Sequence, residues 1–172
     1  MYILSSLQLH EADAFTIKNE PIGSCDLMER AANRFVTAVL QDFPDTETFF
    51  IFCGKGNNGG DGLATARLLA QKGKTVHTCI VHYTDKESND FQTNYIRLQN
   101  LQQENCHIHN LTEFQHITIP TNAIVVDALL GSGLNRPVSG IVAQYVDFLN
   151  KMPNRRIAID IPSGLFADVQ QN

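Results

Sequence analysis

The stretch TFFIFCGKGNNGGDG, Thr48–Gly62, decides how this chain folds. Its first six residues form a short, largely apolar run, which is typical of a strand buried on both faces of a parallel sheet. The run ends at Gly54, where a Gly-x-Gly-x-x-Gly pattern begins. Glycines with this spacing let the backbone turn tightly and approach a pyrophosphate, which the N-terminus of the following helix attracts. The stretch therefore predicts a strand, a turn suited to phosphate and a helix, in that order.

On both sides of this stretch, helix and strand patterns alternate. The predicted helices are Glu11–Ala14, Ser24–Leu40, Gly59 or Gly60 to Lys72, Asn89–Glu104 and Gly140–Asn150, and the predicted strands are Thr48–Cys53, Thr75–His82, Ala123–Leu129 and Arg156–Ile161. Ser24 or Asp26 is expected to cap the second helix. Repeated strand–helix units imply right-handed crossovers, so we predict a three-layer α/β/α fold with a mostly parallel sheet, in one domain over residues 1–172.

Charge and hydropathy exclude several classes of function. The formal net charge is −5, so the basic footprint of a nucleic-acid-binding protein is absent. No apolar run approaches the ~18–20 residues that span a bilayer, and Met1–Asp13 lacks the features of a signal peptide. These observations predict a cytoplasmic protein that binds neither nucleic acid nor membrane. Because cations are scarce, a phosphate-bearing ligand would be held mainly by backbone N–H groups.

Three chemically interesting segments each follow the end of a predicted strand. They are the first loop (Gly54–Gly62), the second loop (Asp127–Pro137) and the third loop (Asp160–Leu165). Sheets of this kind bind ligands beyond the carboxyl ends of their strands. We therefore expect the three loops to form a single site.

The first loop has more polar and glycine residues than a turn needs. Asn57, Asn58 and Asp61 add side-chain oxygens, and no Gly-Lys-Ser/Thr follows, so the loop is not a Walker A loop. An ordinary NAD-binding site would have an acid at the end of the second strand, where the nearest acid is Asp85. This absence disfavours a dehydrogenase. A tight turn without a ligand stays an alternative.

The second loop begins with a carboxylate at the end of an apolar strand. Asp127 is costly there unless it is paired or coordinated, although an aspartate bonded to neighbouring backbone N–H groups is the structural alternative. Gly131, Ser132 and Gly133 form a second nest of phosphate size, and Arg136 is placed to reach an anion.

The third loop adds a second carboxylate. Asp160 ends another apolar run, Ile157–Ile159, and a Pro-Ser-Gly turn follows it. Asp127, Asp160, Asn58 and Ser163 together offer hard oxygen ligands, which suit a hard cation and do not suit zinc.

Two histidines form a separate feature. His107 and His109 would lie on one face of a short strand. A metal pair is one interpretation. A solvent-facing edge strand is favoured over it, because no third ligand is evident nearby in the sequence.

The three loops together resemble the NAD(P)H-hydrate epimerase family, also called the YjeF N-terminal domain. The matching motifs are GKGNNGGDG, DALLGSGLNRP and DIPSG, and Leu27–Ala31 (LMERA) resembles the family too. The resemblance implies a Rossmann-like fold, epimerisation of the R and S forms of hydrated NADH or NADPH as metabolite repair, and one bound potassium ion.

Site residues follow from the resemblance, motif by motif. The implied substrate-binding residues are Asn57, Asn58, Gly59, Gly60, Asp61, Gly131, Ser132, Gly133, Leu134, Asn135, Arg136, Pro137 and Asp160. The implied potassium ligands are Asn58, Asp127 and Ser163. Family domains usually continue past the DIPSG motif, so we expect this chain to be truncated at its C-terminal end. Many bacterial relatives carry a fused hydrate dehydratase, so a fused or separate dehydratase is an expected partner, and a homodimer is left open.

Inversion at one ring carbon calls for a group that both gives and takes a proton. Asp160 is our candidate, because its place at the end of an apolar strand predicts a partly desolvated carboxyl. Asp127 is assigned to the ion, although the two roles could be exchanged. A non-catalytic binding or scaffolding module of the same fold is the alternative. It is disfavoured because a scaffold has no reason to keep Asn58, Asp127 and Asp160.

Overall fold

Five parallel strands form the centre of the computed structural model, which describes residues 4–168. The strands are β1 (Thr48–Cys53), β2 (Thr75–Val81), β3 (Cys106–Leu111), β4 (Ile124–Ala128) and β5 (Arg156–Ala158), and the helices are α1 (Ser6–Asn19), α2 (Ser24–Asp42), α3 (Asn57–Gln71), α4 (Asn89–Gln99) and α5 (Gly140–Lys151). The sheet order is β3-β2-β1-β4-β5, and each neighbouring pair is parallel. The predicted α/β/α fold is confirmed.

The sheet is buried between two apolar layers. Alternate residues of β1 serve the two faces, because side chains on a strand point to opposite sides in turn. Phe49 and Ile51 pack with α2, α3 and α4. Phe50 and Phe52 pack with α5 and with the segment between β3 and β4. This two-sided burial explains why the sequence of β1 is continuously apolar.

Two helices begin earlier than the sequence predicts. Helix α1 starts at Ser6, because Ser5 forms a capping box with Gln8, a signal that the prediction overlooked. Helix α3 starts at Asn57, because Gly56 takes the extended N-cap conformation. Glycines are poor helix formers, so the prediction placed the start at Gly59 or Gly60, but tertiary packing overrides that preference here.

The ends of α4 and β5 and the cap of α2 also differ from the prediction. Helix α4 ends at Gln99 rather than Glu104, and Gln102 has a positive φ of 46° that no helix accommodates. Strand β5 stops at Ala158 rather than Ile161, because the chain turns back so that Ser163 bonds to Asp127. The prediction that Ser24 or Asp26 caps α2 is wrong, since the N-cap is Gly23 and no side chain caps that helix.

The topology places the three loops side by side. The first loop follows β1, the second follows β4 and the third follows β5, and these three strands are adjacent. Because the strands are parallel, their carboxyl ends lie at one edge of the sheet. Among the helices of residues 4–168, none has the length and apolar character to cross a membrane.

Candidate functional site

Backbone and side-chain hydrogen bonds join the three loops into one unit. The Gly54 amide donates to the Ala128 carbonyl at 2.9 Å, which joins the first loop to the second. The Leu130 amide donates to Ser163 Oγ at 2.9 Å, which joins the second loop to the third. The loops therefore meet where the sequence predicts, at the carboxyl ends of β1, β4 and β5.

The first loop is closely packed, and packing explains part of its glycine content. A Cβ on Gly59 would lie 1.9 Å from the Gly54 carbonyl oxygen, and one on Gly54 would lie 2.0 Å from the Leu129 carbonyl oxygen. These glycines are required by the fold whether or not a ligand binds. The prediction gave Gly59 to the substrate, and replacing it would disturb the fold as well as any binding.

The N-terminus of α3 faces this edge without a side-chain cap. The first N–H groups of a helix have no partner within the helix, and the helix dipole makes this end attractive to anions. Asn57 is exposed and Asn58 is buried at this turn. The arrangement suits a phosphate bound by backbone groups, which an acidic chain with few cations requires.

Asp127 and Ser163 are bonded directly to each other. Ser163 Oγ donates to Asp127 Oδ1 at 2.6 Å, and the Ser163 amide donates to Asp127 Oδ2 at 2.8 Å. The Leu129 amide also donates to Asp127 Oδ1, at 3.1 Å. The structural alternative for Asp127, a carboxylate bonded to nearby N–H groups, is thus realised. These bonds leave oxygen lone pairs on both residues, so an ion ligand role is compatible with them.

Asn58 has the most informative environment of the predicted ion ligands. Its side chain is 9% exposed, and neither Oδ1 nor Nδ2 has a hydrogen-bond partner among the described residues. A buried amide without partners costs free energy. Asn58 lies close to the second loop, because a Cβ on Gly131 would come within 3.2 Å of Asn58 Cβ. The unpartnered amide oxygen fits a hard cation, which prefers such ligands.

Asp160 is held in place but is not desolvated. The Ser132 amide donates to Asp160 Oδ2 at 2.6 Å. The residue is exposed, so the prediction of a partly desolvated carboxyl is wrong. The reason is that β5 lies at the edge of the described sheet and ends before Asp160. A Cβ on Gly131 would lie 2.6 Å from Asp160 Oδ2, so Gly131 is needed for this close approach.

Asp61 is the carboxyl with the perturbed proton affinity. Burial in the first turns of α3, together with the nearby charge of Asp160, raises the pKa of Asp61 from 3.8 to about 7. The sequence analysis gave Asp61 only a binding role. Its position after two glycines gives no sign of burial, since burial here depends on how α3 packs against the rest of the chain.

The second loop is open to solvent at its tip. Gly133, Asn135, Arg136 and Pro137 are exposed. Arg136 has no ion-pair partner within residues 4–168. A cavity of about 480 Å³ borders this loop and is lined by Ser6, His10, Ser132, Gly133, Leu134, Asn135, Phe166, Ala167 and Asp168. It lies beside the second loop rather than over Asn58 and Asp127, so hydrogen bonds rather than cavity shape identify the site.

One cation does belong to the first loop. Lys55 is 6% exposed, and its Nζ lies 2.9 Å from Glu87 Oε1. The sequence analysis considered Asp85 as the nearest acid after β2, but Glu87 is the acid that contacts the first loop. Because Glu87 neutralises Lys55, phosphate recognition still depends on backbone N–H groups.

The fold and site define a class: an open α/β domain with a helix N-terminus and two strand-end carboxylates at one edge of its sheet. Residues 24–172 match the family model described as YjeF-related protein N-terminus, and the chain belongs to this family. The predicted family is confirmed.

Several relatives share most of this chain. The NAD(P)H-hydrate epimerase of Oenococcus oeni is 36% identical over 170 residues, which are 96% of this chain and 76% of that protein. The bifunctional NAD(P)H-hydrate repair enzyme Nnr of Salinibacter ruber is 34% identical over 96% of this chain, but over only 33% of its own length. The crystal structure of the yeast protein ynu0 matches 95% of this chain and 72% of its own, with a TM-score of 0.74 and 21% identity, and so supports the fold.

Proposed function

We propose that this chain is an epimerase that interconverts the R and S forms of hydrated NADH and NADPH. Relatives that carry this activity in their names cover nearly the whole chain. The observation that carries the proposal is the pairing of Asp160 with the Ser132 amide, which fixes a carboxylate between the second and third loops. A binding or scaffolding module does not need a fixed carboxylate at this position.

The proposed reaction removes a hydroxyl from the ring carbon beside the nicotinamide nitrogen and returns water to the other face. The departing hydroxide takes a proton, and the returning water gives one up, so the reaction has no net proton change. Asp160 is the proposed group for both transfers, as acid and then as base. Asp61, with a pKa of about 7, holds a proton in part of the molecules near neutral pH and can supply it to the site.

The substrate is held from two sides in this proposal. Backbone N–H groups of Asn57, Asn58 and Gly59, at the start of α3, meet its phosphates or ribose, and residues 131–137 close over it from the second loop. Arg136, the free cation of the described second loop, provides the positive charge for this second contact.

A potassium ion is proposed at Asn58, Asp127 and Ser163. The unpartnered amide of Asn58, close to the second loop, and the bonded pair of Asp127 and Ser163 support this. When bound, the cation would add positive charge at the sheet edge and reduce repulsion between the carboxylates and an anionic substrate.

A cytoplasmic location, a homodimer and the domain extent stay predictions. A dehydratase partner is proposed because some relatives are bifunctional repair enzymes.

Epimer exchange measured by NMR tests the proposal directly. One epimer of hydrated NADH, and separately of hydrated NADPH, is mixed with the chain and the appearance of the other epimer is followed. We expect exchange well above the rate without protein, in potassium-containing buffer. Tight binding of either hydrate with no acceleration would instead support the non-catalytic module.

A further inference from the structure

A second cluster of possible ligands lies away from the three loops, on the outer part of the sheet. His77 of β2 is directly opposite His107 of β3 in the parallel register, and His109 lies two residues farther along β3. In the sequence, His107 and His109 have no third candidate ligand nearby. His77 is that neighbour, and only the strand pairing brings it there.

The closest contact in this cluster crosses the two strands. His77 Nδ1 lies 3.1 Å from His109 Nε2. His77 also stacks on Phe50, with ring centroids 4.3 Å apart, and on His107, at 4.7 Å. The stack fixes the ring of His77, whereas His107 and His109 are exposed. The open face arises because the chain between β3 and β4 contains no helix to cover β3.

We propose that His77 and His109 form a two-imidazole binding site for a late first-row divalent cation such as Zn²⁺ or Cu²⁺. Imidazole nitrogen is a preferred ligand of these metals. Two nitrogens bound to one metal at about 2.0–2.1 Å stand about 2.9–3.4 Å apart for the usual angles, and the observed separation of 3.1 Å lies in this range.

The protonation state of the pair suits metal binding. The short contact between the two ring nitrogens is a hydrogen bond, so at least one of these nitrogens carries a lone pair. Each neutral ring has one lone pair. When the ring that donates the hydrogen bond moves its proton to its other nitrogen, each contact nitrogen has a lone pair and the net proton number does not change. The rings lie nearly end to end, with centroids 5.4 Å apart, so the exposed His109 ring turns to bring both lone pairs onto a metal beside the N–N line.

The site takes two protein ligands, and water completes the coordination. Within residues 4–168, no group of three His, Cys, Asp or Glu side chains is arranged around one metal position. His107 stacks on His77 and therefore supports the ring orientation without binding the metal. This nitrogen-donor pair contrasts with the oxygen-only set at Asn58, Asp127 and Ser163, so the two sites would take different cations.

Calorimetric titration of the full chain with Zn²⁺ and with Cu²⁺ at pH 7.5 tests the proposal. We expect one cation per chain, with Cu²⁺ bound more tightly than Zn²⁺, as imidazole sites generally show. His77→Phe keeps a ring stacked on Phe50 and removes both nitrogens, and His109→Ala removes an exposed side chain. Each should weaken binding by at least about tenfold, or 1.4 kcal/mol.

His116→Ala is the matched control, because His116 is exposed and contacts Phe114 and Phe148 instead of the cluster. Its affinity should equal that of the unchanged chain. Circular dichroism checks that every variant is folded. The proposal is overturned if the unchanged chain binds neither cation, if His116→Ala loses as much affinity as His109→Ala, or if folded His77→Phe and His109→Ala both retain full affinity.

Discussion

The first and second loops meet at one site but are built in opposite ways. Around Gly54 and Gly59 the backbone is so closely packed that a single Cβ would clash at 2.0 Å or less. At the tip of the second loop, a Cβ on Gly133 would meet nothing within 4 Å among residues 4–168. The difference indicates that the site has a rigid half and an open half. The rigid half is the first loop, which is fixed by folding, and the open half is the tip of the second loop, whose contacts are left for a ligand.

Glycine has different structural reasons in the two loops. In the first loop, glycine is explained by the approach of one backbone segment to another. In the second loop, Gly131 permits the approach of Asp160 and Asn58, but Gly133 has no such neighbour. Glycine density alone therefore does not indicate a phosphate site. The uncapped N-terminus of α3 and the unpartnered amide of Asn58 are the features that indicate a ligand.

Among the changes considered, a substitution in the rigid half should have the largest effect on the free energy of unfolding. Gly59→Ala places a Cβ 1.9 Å from a carbonyl oxygen that belongs to the backbone and has little room to move. We expect a loss of about 3 kcal/mol or more in the free energy of unfolding, at the upper end for overpacking. Urea denaturation followed by circular dichroism measures it. A variant as stable as the unchanged chain would show that the first loop is not rigid.

The potassium site should give the next largest effect. A ligand that binds only the native state at about 100 times its dissociation constant stabilises it by about 2.7 kcal/mol. We expect potassium, in place of choline at equal ionic strength, to raise the melting temperature. Asn58→Ala should abolish this rise.

Thr65→Ala is a control for the loss of a buried polar side chain, because the Thr65 hydroxyl is also buried without a partner but belongs to the middle of α3. It should keep the response to potassium. An equal response in Asn58→Ala and in the unchanged chain would contradict the ion assignment.

Asp61 should give a smaller, pH-dependent effect. Its pKa of about 7 lies above the ordinary 3.8. Between these values the native state keeps a proton that the unfolded chain has released, so this stabilisation is present at low pH and is lost as the pH rises through 7. Asp61 is partly exposed to water, and solvent screening therefore makes this pH-dependent stabilisation smaller.

Thermal unfolding at pH 5 and pH 8 measures this contribution. Asp61→Asn should lose less stability between the two values than the unchanged chain does. Asp85→Asn, which alters an exposed acid, should behave as the unchanged chain. If Asp61→Asn keeps the full pH dependence, another group is responsible for it.

The smallest effect is expected at the open half. Gly133 has no positive φ, and a Cβ added to it would have no neighbour within 4 Å in the described part of the chain. Gly133→Ala should therefore stabilise the chain slightly, by about 0.4–1 kcal/mol, because the unfolded chain loses freedom. Urea denaturation of Gly133→Ala and of Gly59→Ala tests the contrast between the two loops. If Gly133→Ala is also destabilised, the two loops do not differ in rigidity.

The sequence predicted what depends on pattern and motif. The continuous apolar run of β1 and the strand-end positions of Asp127 and Asp160 were enough for the parallel sheet and the meeting of the three loops. Relations between distant parts of the chain were not predictable. The exposure of Asp160 depends on its position at the sheet edge, and the closeness of His77 to His109 depends on strand register.

Asp61 shows the same limit within the site itself. Its residue type and spacing fit a binding role, but its proton affinity depends on how deeply α3 buries it and on the neighbouring Asp160. A local sequence motif predicts neither the burial of Asp61 nor its closeness to Asp160. The unpartnered amide of Asn58 is likewise visible only once the surrounding chain is in place.

Asp160 performs the proton transfer in the proposed mechanism, and the Asp160→Asn variant removes that capacity alone. Asparagine can still accept a hydrogen bond from the Ser132 amide, but it cannot exchange a proton. We predict near-normal binding of the hydrated dinucleotide by calorimetry and epimer exchange at least ~10²-fold slower per folded molecule, the low end for a positioned acid–base group. Exchange at the unchanged rate per folded molecule, with a lowered melting temperature, would contradict the account and transfer the role to Asp61.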